Sequence, residues 1–186
     1  MSNMNSLLAE LTWRGLLYQH TEPLDAALSA GVVTGYCGFD PTATSLHVGN
    51  LVPVMGLAHL QRAGHRPIVL IGGGTGMIGD PSGKTSERQL NTPEIVERNS
   101  RAIQSQLEKF LEFGEPSGAM MRDNAEWLLD MKAVEFMRDV GKHFTVSYMM
   151  QKDSVRSRME EGGISYTEFS YMLLQAKDFL ELYRRT

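Results

Sequence analysis

Residues 36–51 read YCGFDPTATSLHVGNL, a stretch in which a strand gives way to a helix within a few positions. The β-branched and aromatic residues from Val32 to Phe39 predict the strand, and Asp40 with Pro41 supplies turn chemistry that ends it. Hydroxyl residues then precede apolar positions at helical spacing, which predicts a helix start. The hydroxyl residues are Thr42, Thr44 and Ser45, and the apolar positions are Leu46, Leu51, Val54, Met55 and Ala58.

A strand that delivers small and hydroxyl residues to a helix N-terminus can bind an anion, because unpaired backbone N–H groups and the positive end of the helix dipole face one point. His47 and Asn50, one turn apart, would add an imidazole and an amide there, and phosphate is the expected anion. Gly49 costs a helix roughly 1 kcal/mol, which indicates that a flat group approaches its backbone. By spacing alone, an ordinary β-turn-α corner explains the pattern equally well.

HVGN after FDPTATSL resembles the His-Ile-Gly-His signature of class I aminoacyl-tRNA synthetases. With YCGFDPTA before it, the segment is similar to the tyrosyl members of that family in particular. Asn50 stands where the family usually has its second histidine. The resemblance implies an α/β fold, with a Rossmann-like parallel sheet that carries helices on both faces and a catalytic domain that is incomplete in this chain.

The same resemblance implies roles for the residues of this stretch. Thr42, His47 and Asn50 would act in catalysis, the first two as hydrogen-bond donors. Cys37 as a covalent nucleophile is the competing idea, but the sequence indicates no histidine partner for it. The contacts to ATP are expected from Cys37, Gly38, Asp40, Gly49 and Asn50.

Length and composition bound the class of protein. A chain of 186 residues with 42% hydrophobic content can form one domain with its own core. Its N-terminus has neither a basic start nor a long apolar run, so we expect a soluble protein without a membrane segment. Cys37 is the single cysteine, which fits a reducing compartment and predicts a cytoplasmic location. A net charge of −4 predicts that any RNA contact is local or is made by parts of the protein not present in this chain.

The rest of the chain extends this corner in both directions. Residues 1–30 predict a helical lead-in, and residues 31–125 a Rossmann-like half. Within that half, Pro67–Ile71 is a continuous apolar run typical of a buried parallel strand. Together with the first strand it predicts a βαβ unit, whose ligand site lies at the carboxyl ends of the strands. Residues 126–186 then predict a helical connecting and substrate-pocket region.

The second strand is followed by GGGTGMIGDPSGKTSERQLN, residues 72–91. Its G-x-G-x-x-G spacing fits a dinucleotide fingerprint, but Asp80 and the proline after it interrupt the helix that the fingerprint needs. A P-loop fails as well, because Ile78 occupies its first glycine position. The resemblance implies that Asp80 contacts the amino group of tyrosine, and that Lys84 and Arg88 lie near pyrophosphate or the tRNA acceptor stem. A solvated charge run explains the two basic residues equally well.

A helix predicted from Thr92 to about residue 113 and a short third strand at residues 119–121 come next. The segment RDNAEWLL after that strand resembles the Asn-Asn-Tyr-Asp-Trp region of the family, with Asn124 and Trp127 unchanged in type. Asn124 is therefore a candidate tyrosine contact. Further short helices are predicted at residues 130–140 and 145–158, and in the family this region supplies a homodimer interface.

Ser165 and Glu168 predict a capping box for a last helix. Tyr171, Gln175 and Asp178 share one stripe of that helix. A solvated polar stripe would fit the last two residues but explains the phenol less well.

The run FSYMLLQAKDF, residues 169–179, closely resembles the family pattern. It implies that Tyr171 and Gln175 hold the amino-acid head of the substrate. Asp178 would accept a hydrogen bond from the substrate phenol, opposite Tyr36. Lys177 replaces the usual tyrosine and should point away from the pocket, since it lies about 100° around the helix from Asp178.

The implied reaction is the activation of L-tyrosine by ATP, which brings Mg²⁺ with it, and transfer of the tyrosyl group to tRNA(Tyr), without a tightly bound cofactor or a resident metal. Family members continue into a Gly-Gly-Ser-Asp-Gln-Trp segment, a Lys-Met-Ser-Lys-Ser type loop and an anticodon-binding region, so we expect this chain to be an N-terminal part with little activity alone. Three alternatives stay open: a tryptophanyl relative, a small His-x-Gly-His nucleotidyltransferase, and a non-catalytic RNA-binding or regulatory module derived from a synthetase.

Overall fold

A computed structural model describes residues 6–78, 91–114 and 118–186. These residues divide into two compact units. The first unit takes its described residues from Met1–Phe39, Ala43–Ile71 and Arg101–Arg122, and the second from Asp40–Thr42, Gly72–Ser100 and Asp123–Thr186. No helix within 6–78, 91–114 and 118–186 combines the length and the apolar character needed to span a bilayer.

Helices and short strands alternate as far as residue 123, and helices alone follow in residues 124–186. The strands are β1 (Thr34–Phe39), β2 (Arg66–Ile71) and β3 (Met120–Asp123). The helices are α1 (Ser6–Trp13), α2 (Leu24–Ala30), α3 (Leu51–Arg62), α4 (Pro93–Leu107), α5 (Ala125–Leu128), α6 (Ala133–Asp139), α7 (Val146–Met150), α8 (Asp153–Glu161) and α9 (Tyr166–Arg185). Short 3₁₀ turns lie at Val48–Asn50, Thr75–Met77 and Gly141–His143.

Within the described residues, the strands form one sheet in the order β1-β2-β3. β1 and β2 are parallel, with Tyr36 opposite Ile68 and Phe39 opposite Ile71, so the predicted βαβ unit is confirmed. The central strand β2 is buried from Pro67 to its end. Since successive side chains alternate between the faces of a sheet, both faces of β2 are covered. This is the Rossmann-like arrangement that the sequence predicts.

The main hydrophobic core lies in the first unit, against the odd-numbered side chains of β1 and β2. Val69 and Ile71 are fully buried there, and helices α3 and α4 supply most of the opposing side chains. The members contributed by these helices are Val54, Leu57, Ala58, Ile103 and Leu107. A second cluster joins α1 and α2 through Leu7, Leu8 and Leu28.

The helix after β1 begins later than the sequence predicts. Its first turn is the 3₁₀ segment Val48–Asn50, and the residue that caps it is His47 rather than one of the hydroxyls before it. The imidazole Nδ1 of His47 accepts the N–H of Gly49 at 3.1 Å, and the Oδ1 of Asn50 accepts the N–H of His47 at 3.0 Å. These two reciprocal bonds satisfy N–H groups that a helix start otherwise leaves open. The cap is therefore an imidazole, and the three hydroxyl residues lie before it.

Helix α4 begins at Pro93 as predicted but ends at Leu107 instead of near residue 113. Gln61 gives the physical reason, because its side chain takes over the backbone groups that would continue the helix. Its Nε2 donates to the carbonyl of Glu112 at 2.6 Å, and its Oε1 accepts the N–H of Glu112 at 3.0 Å. The helix predicted over 145–158 is likewise two helices, α7 and α8, which are separated at Gln151 and Lys152.

Helix α9 belongs to the second unit and has the predicted capping box. The Oγ of Ser165 accepts the N–H of Glu168 at 3.2 Å, and the carboxylate of Glu168 accepts the N–H of Ser165 at 3.4 Å. Glu168 is also paired with Arg158 of α8 at 3.0 Å, and both side chains are buried. The start of α9 is therefore fixed both by its cap and by a buried ion pair.

Candidate active site

A chain of polar side chains runs through the second unit and begins at Asp40, the residue directly after β1. The hydroxyl of Thr75 donates to Asp40 Oδ1 at 2.7 Å, and the phenol of Tyr171 donates to Asp40 Oδ2 at 2.9 Å. A Cβ at Gly72 would collide with Asp40 Oδ1 and Thr75 Oγ1. The glycine after β2 therefore makes room for this carboxylate.

Asn124 continues the chain and is only 1% exposed. Its Oδ1 accepts the N–H of Gly74 at 2.8 Å and that of Thr75 at 3.4 Å. Its Nδ2 donates to Thr75 Oγ1 at 3.0 Å and to Asp178 Oδ2 at 3.0 Å. Both ends of the amide are thus engaged by the protein itself, so Asn124 orients its neighbours instead of presenting a free group.

Asp178 ends the chain on α9 and is 3% exposed. The indole nitrogen of Trp127 donates to its Oδ1 at 2.8 Å, and Asn124 donates to its Oδ2. Burial raises the pKa of Asp178 to about 6, and the negative charges of Asp40 and Asp123 add to the rise while the two N–H bonds oppose it. A carboxylate in this setting is poorly compensated, and each oxygen keeps room to accept a further donor.

These contacts test the interpretation of the α9 stripe as solvated. Tyr171 and Asp178 are buried, so a solvated stripe is wrong for both of them, whereas Gln175 is exposed. Lys177 pairs with Glu181 at 2.7 Å, as expected for a side chain that points away from Asp178. The connected residues of the site are Tyr171, Asp40, Thr75, Asn124, Asp178 and Trp127.

Asp123 is a functional candidate that the sequence did not single out. Its Oδ1 accepts the N–H of Gly73 at 3.0 Å and that of Ala125 at 2.8 Å, and burial raises its pKa. A Cβ at Gly73 would collide with this carboxylate. Together with Asn124, it holds the glycine turn after β2 by its backbone N–H groups. An Asp-Asn pair at a strand end is the sequence signal that could have indicated this clamp.

The second group of predicted residues lies in the first unit, around the 3₁₀ turn. Because His47 Nδ1 accepts a backbone N–H, the neutral ring carries its proton on Nε2, which makes that atom a donor. The Oδ1 of Asn50 is bonded to the N–H of His47, so its NH₂ group is the end left to meet a ligand. A Cβ at Gly49 would lie 2.9 Å from His47 Cε1. The flat group at this glycine is therefore the ring of His47 itself.

Gln106 of α4 fixes the loop that precedes this turn. Its Oε1 accepts the N–H of Leu46 at 3.0 Å, and its Nε2 donates to the carbonyl of Thr44 at 3.1 Å. The loop conformation therefore depends on a side chain about 60 residues further along the chain.

The remaining candidates are less constrained. Tyr36, Cys37 and Gly38 lie on β1, and burial raises the pKa of the Cys37 thiol, which disfavours the thiolate that a nucleophile needs. The side chain of Thr42 is exposed, and its N–H donates to the carbonyl of Asp40 at 2.8 Å. Three predicted residues lie outside the described part of the chain: Asp80, Lys84 and Arg88. Among the described residues, no group of three or more His, Cys, Asp or Glu could hold a metal ion.

The family described as tRNA synthetases class I (W and Y) matches residues 29–186. The chain belongs to this family. The family resemblance stated from HVGN and FSYMLLQAKDF is thereby confirmed, and a small nucleotidyltransferase outside the synthetases is no longer needed to explain the first motif.

Among curated relatives of this chain, the tyrosine–tRNA ligase of Anaeromyxobacter dehalogenans (strain 2CP-1 / ATCC BAA-258) is 56% identical over 181 residues, which are 97% of this chain and 43% of the relative. That of Roseiflexus castenholzii (strain DSM 13941 / HLO8) is 58% identical over 183 residues, with the same two coverages. The chain thus spans less than half the length of these relatives.

Solved structures give the same family. A C-terminally truncated mitochondrial tyrosyl-tRNA synthetase from Aspergillus nidulans superposes with a TM-score of 0.86 at 29% identity, over 99% of this chain and 56% of the other. A tyrosyl-tRNA synthetase from Archaeoglobus fulgidus complexed with L-tyrosine gives a TM-score of 0.65 at 18% identity, over 95% of this chain and 53% of the other. The second likeness establishes a shared fold only.

Proposed function

We propose that this chain forms the part of a tyrosine–tRNA ligase that binds L-tyrosine and joins it to AMP. The complete enzyme would activate L-tyrosine with ATP and transfer the tyrosyl group to tRNA(Tyr). The single observation that carries the proposal is the buried carboxylate of Asp178, with its pKa raised to about 6 and with Trp127 and Asn124 as its N–H donors. Such a group gains strongly from one more donor, and a substrate phenol supplies one.

The proposed tyrosine site uses α9 for both ends of the substrate. Asp178 accepts the phenol, and the family resemblance implies Tyr36 as a second contact. Tyr171 and Gln175 hold the amino-acid head, and the resemblance implies the same role for Asp80, which lies outside the described residues. The bond from the Tyr171 hydroxyl to Asp40 at 2.9 Å supports the role of Tyr171, because it fixes the orientation of the Tyr171 side-chain oxygen. We assign Asn124 a positioning role through Asp178, since both ends of its amide already bond to the protein.

The proposed ATP site uses the turn after β1. His47 Nε2–H, the Asn50 amide and Thr42 would donate to the phosphates. The other predicted ATP contacts would come from Cys37, Gly38, Asp40 and Gly49. The tyrosine carboxylate attacks the α-phosphorus, and pyrophosphate leaves, so no covalent enzyme intermediate forms. Mg²⁺ would enter with ATP and neutralise phosphate charge. The chain contributes alignment of the two substrates and stabilisation of developing negative charge.

Tyrosine is favoured over tryptophan, although the family includes enzymes for both. A carboxylate accepts a phenol O–H in a shorter and stronger bond than an indole N–H. Curated relatives at 55–58% identity also carry the name tyrosine–tRNA ligase.

We further propose a cytoplasmic homodimer that contacts tRNA locally. Exposed apolar side chains on α6, α7, α8 and the start of α9 support the dimer, since exposed apolar area favours burial against a partner. They are Val134 at 77%, Met137 at 57%, Val146 at 64%, Met159 at 43% and Tyr166 at 71% exposure.

Calorimetric titration with L-tyrosine, L-phenylalanine and L-tryptophan tests the proposal. We expect saturable binding of tyrosine alone, lost in Asp178→Ala and kept in Asp139→Ala, the same change at an exposed aspartate of α6. Equal binding of the three amino acids, or no binding of any, would contradict the proposed site. Tyrosine-dependent exchange of pyrophosphate into ATP separates an enzyme from the non-catalytic module, which would retain RNA binding and lack exchange.

A further inference from the structure

A cation lies over the aromatic ring that donates to the site carboxylate. The guanidinium carbon of Arg185, at the end of α9, is 4.9 Å from the centroid of the Trp127 ring. Arg185 Nη1 is also paired with Glu126 Oε2 at 3.2 Å, on the residue next to Trp127. The nitrogen of the same indole donates to Asp178 Oδ1 at 2.8 Å. The Trp127 ring thus contacts Arg185 on its face and the proposed phenol-binding carboxylate through its N–H.

Arg185 is held in this place by its own helix. Its Nε donates to Glu181 Oε2 at 3.2 Å, one turn back along α9. Glu181 Oε1 in turn accepts Lys177 Nζ at 2.7 Å, and these two side chains are only 13% and 11% exposed. The pKa of Glu181 is lowered, first by the bond from Lys177, so its charge persists at neutral pH. Ion pairs that share a partner order Arg185 before any ligand binds.

We propose that Arg185 is a positioning residue that strengthens the hydrogen bond from Trp127 to Asp178 and thereby sets selectivity for a hydroxylated aromatic substrate. The inference rests on the proposed tyrosine site. A cation over an indole face draws electron density from the ring, which makes the ring N–H a stronger donor. A stronger donor favours the charged form of the carboxylate that accepts it. Lys177, which replaces the usual tyrosine, contributes by fixing Glu181.

The groups around Asp178 determine how easily its carboxyl ionises. Asp40 and Asp123 both oppose ionisation of Asp178, and Asn124 and Trp127 favour it through their bonds. Of these two donors, only the Trp127 indole lies under a cation within the described residues. Weakening that donor should therefore shift Asp178 toward its protonated form.

The decisive comparison is Arg185→Gln against Arg184→Gln, which removes the same charge from the neighbouring position. Arg184 is 60% exposed and lies 3.6 Å from Glu181. NMR of ¹⁵N- and ¹³C-labelled chain follows the Trp127 indole N–H and the Asp178 carboxyl carbon, assigned with Trp127→Phe and Asp178→Asn. We expect Arg185→Gln to move the indole proton upfield and raise the titration midpoint of Asp178. Arg185→Lys should give a smaller change and Arg184→Gln none.

The functional readout is tyrosine affinity, measured by the same calorimetry. Loss of the cation should weaken tyrosine binding at neutral pH by about two- to fivefold, because a smaller share of Asp178 is ionised to accept the phenol, and phenylalanine should still show no binding. Unchanged indole and carboxyl signals in Arg185→Gln, or equal changes in Arg184→Gln, would overturn the inference. If the unmodified chain binds no tyrosine, the proposed function fails, while the two NMR signals still decide whether Arg185 acts on Asp178.

Discussion

Replacing Asp178 by asparagine should change how the free energy of unfolding depends on pH. In the folded chain the pKa of Asp178 is raised from 3.8 to about 6. The folded state therefore keeps a proton between about pH 4 and pH 6 that the unfolded state has lost, and the stability linked to this group falls as the pH rises through that window. A pKa difference of one unit between the folded and unfolded states corresponds to about 1.4 kcal/mol. The raised pKa of Asp178 therefore lowers the free energy of unfolding by about 3 kcal/mol at pH 7.

Asparagine at this position does not titrate. It also has only one side-chain oxygen, so either Asn124 or Trp127 loses its acceptor, which lowers the free energy of unfolding by about 1–3 kcal/mol at every pH. The constant cost cancels when the variant is compared with the unmodified chain at two pH values. We therefore expect the stability of Asp178→Asn relative to the unmodified chain to improve by about 3 kcal/mol between pH 4 and pH 7.

Urea unfolding followed by circular dichroism at several pH values measures this difference. Asp139→Asn is the matched control. The bond from Arg138 lowers the pKa of Asp139 below its usual 3.8, so the stability linked to its titration changes only below about pH 4, and Asp139→Asn should run parallel to the unmodified chain between pH 4 and pH 7. Parallel stability curves for Asp178→Asn and the unmodified chain would refute the assignment of a costly buried charge to Asp178.

Three further substitutions test separate contacts. Asn99→Leu should lower the free energy of unfolding by about 1–3 kcal/mol, because the buried Pro41 carbonyl loses the amide N–H that it accepts at 3.0 Å; unchanged urea midpoints would speak against that contact. Gly49→Ala should displace the His47 ring, since the new Cβ would lie 2.9 Å from its Cε1, and imidazole ¹⁵N shifts that stay the same would show that no such contact exists. Arg158→Met should cost about 3–5 kcal/mol, because Glu168 stays buried without its cation, and adding Glu168→Gln should recover part of the loss; a double variant no more stable than the single one would disprove the pairing.

Features specified by neighbouring residues were predictable from the sequence. The apolar run at residues 67–71 indicates a strand buried on both faces, and β2 is one. The Ser165 and Glu168 pair indicates the start of α9 because both partners of the capping box lie within one turn. Such signals depend on spacings of a few residues, which a linear pattern retains.

Features specified by distant residues were not predictable. Thr75 belongs to the site because Asp40 and Asn124 bond to it, from 35 and 49 residues away. Threonine carries no distinctive chemistry, so only the fold shows its role. The end of α4 is a similar case, since Gln61 takes the backbone groups of Glu112 from 51 residues away.

In the proposed tyrosine site, the structure defines the basis of selectivity between tyrosine and phenylalanine. Phenylalanine would leave a carboxylate without protein donors wholly unpaired, but Asp178 already accepts bonds from Asn124 and Trp127. The penalty for phenylalanine is then smaller than that for a wholly unpaired buried charge. Because the pKa stays near 6 despite both bonds, part of the burial cost is uncompensated, and this remainder is what a substrate phenol can relieve. The same free energy should therefore lower the stability of the empty site and favour tyrosine when the site is filled.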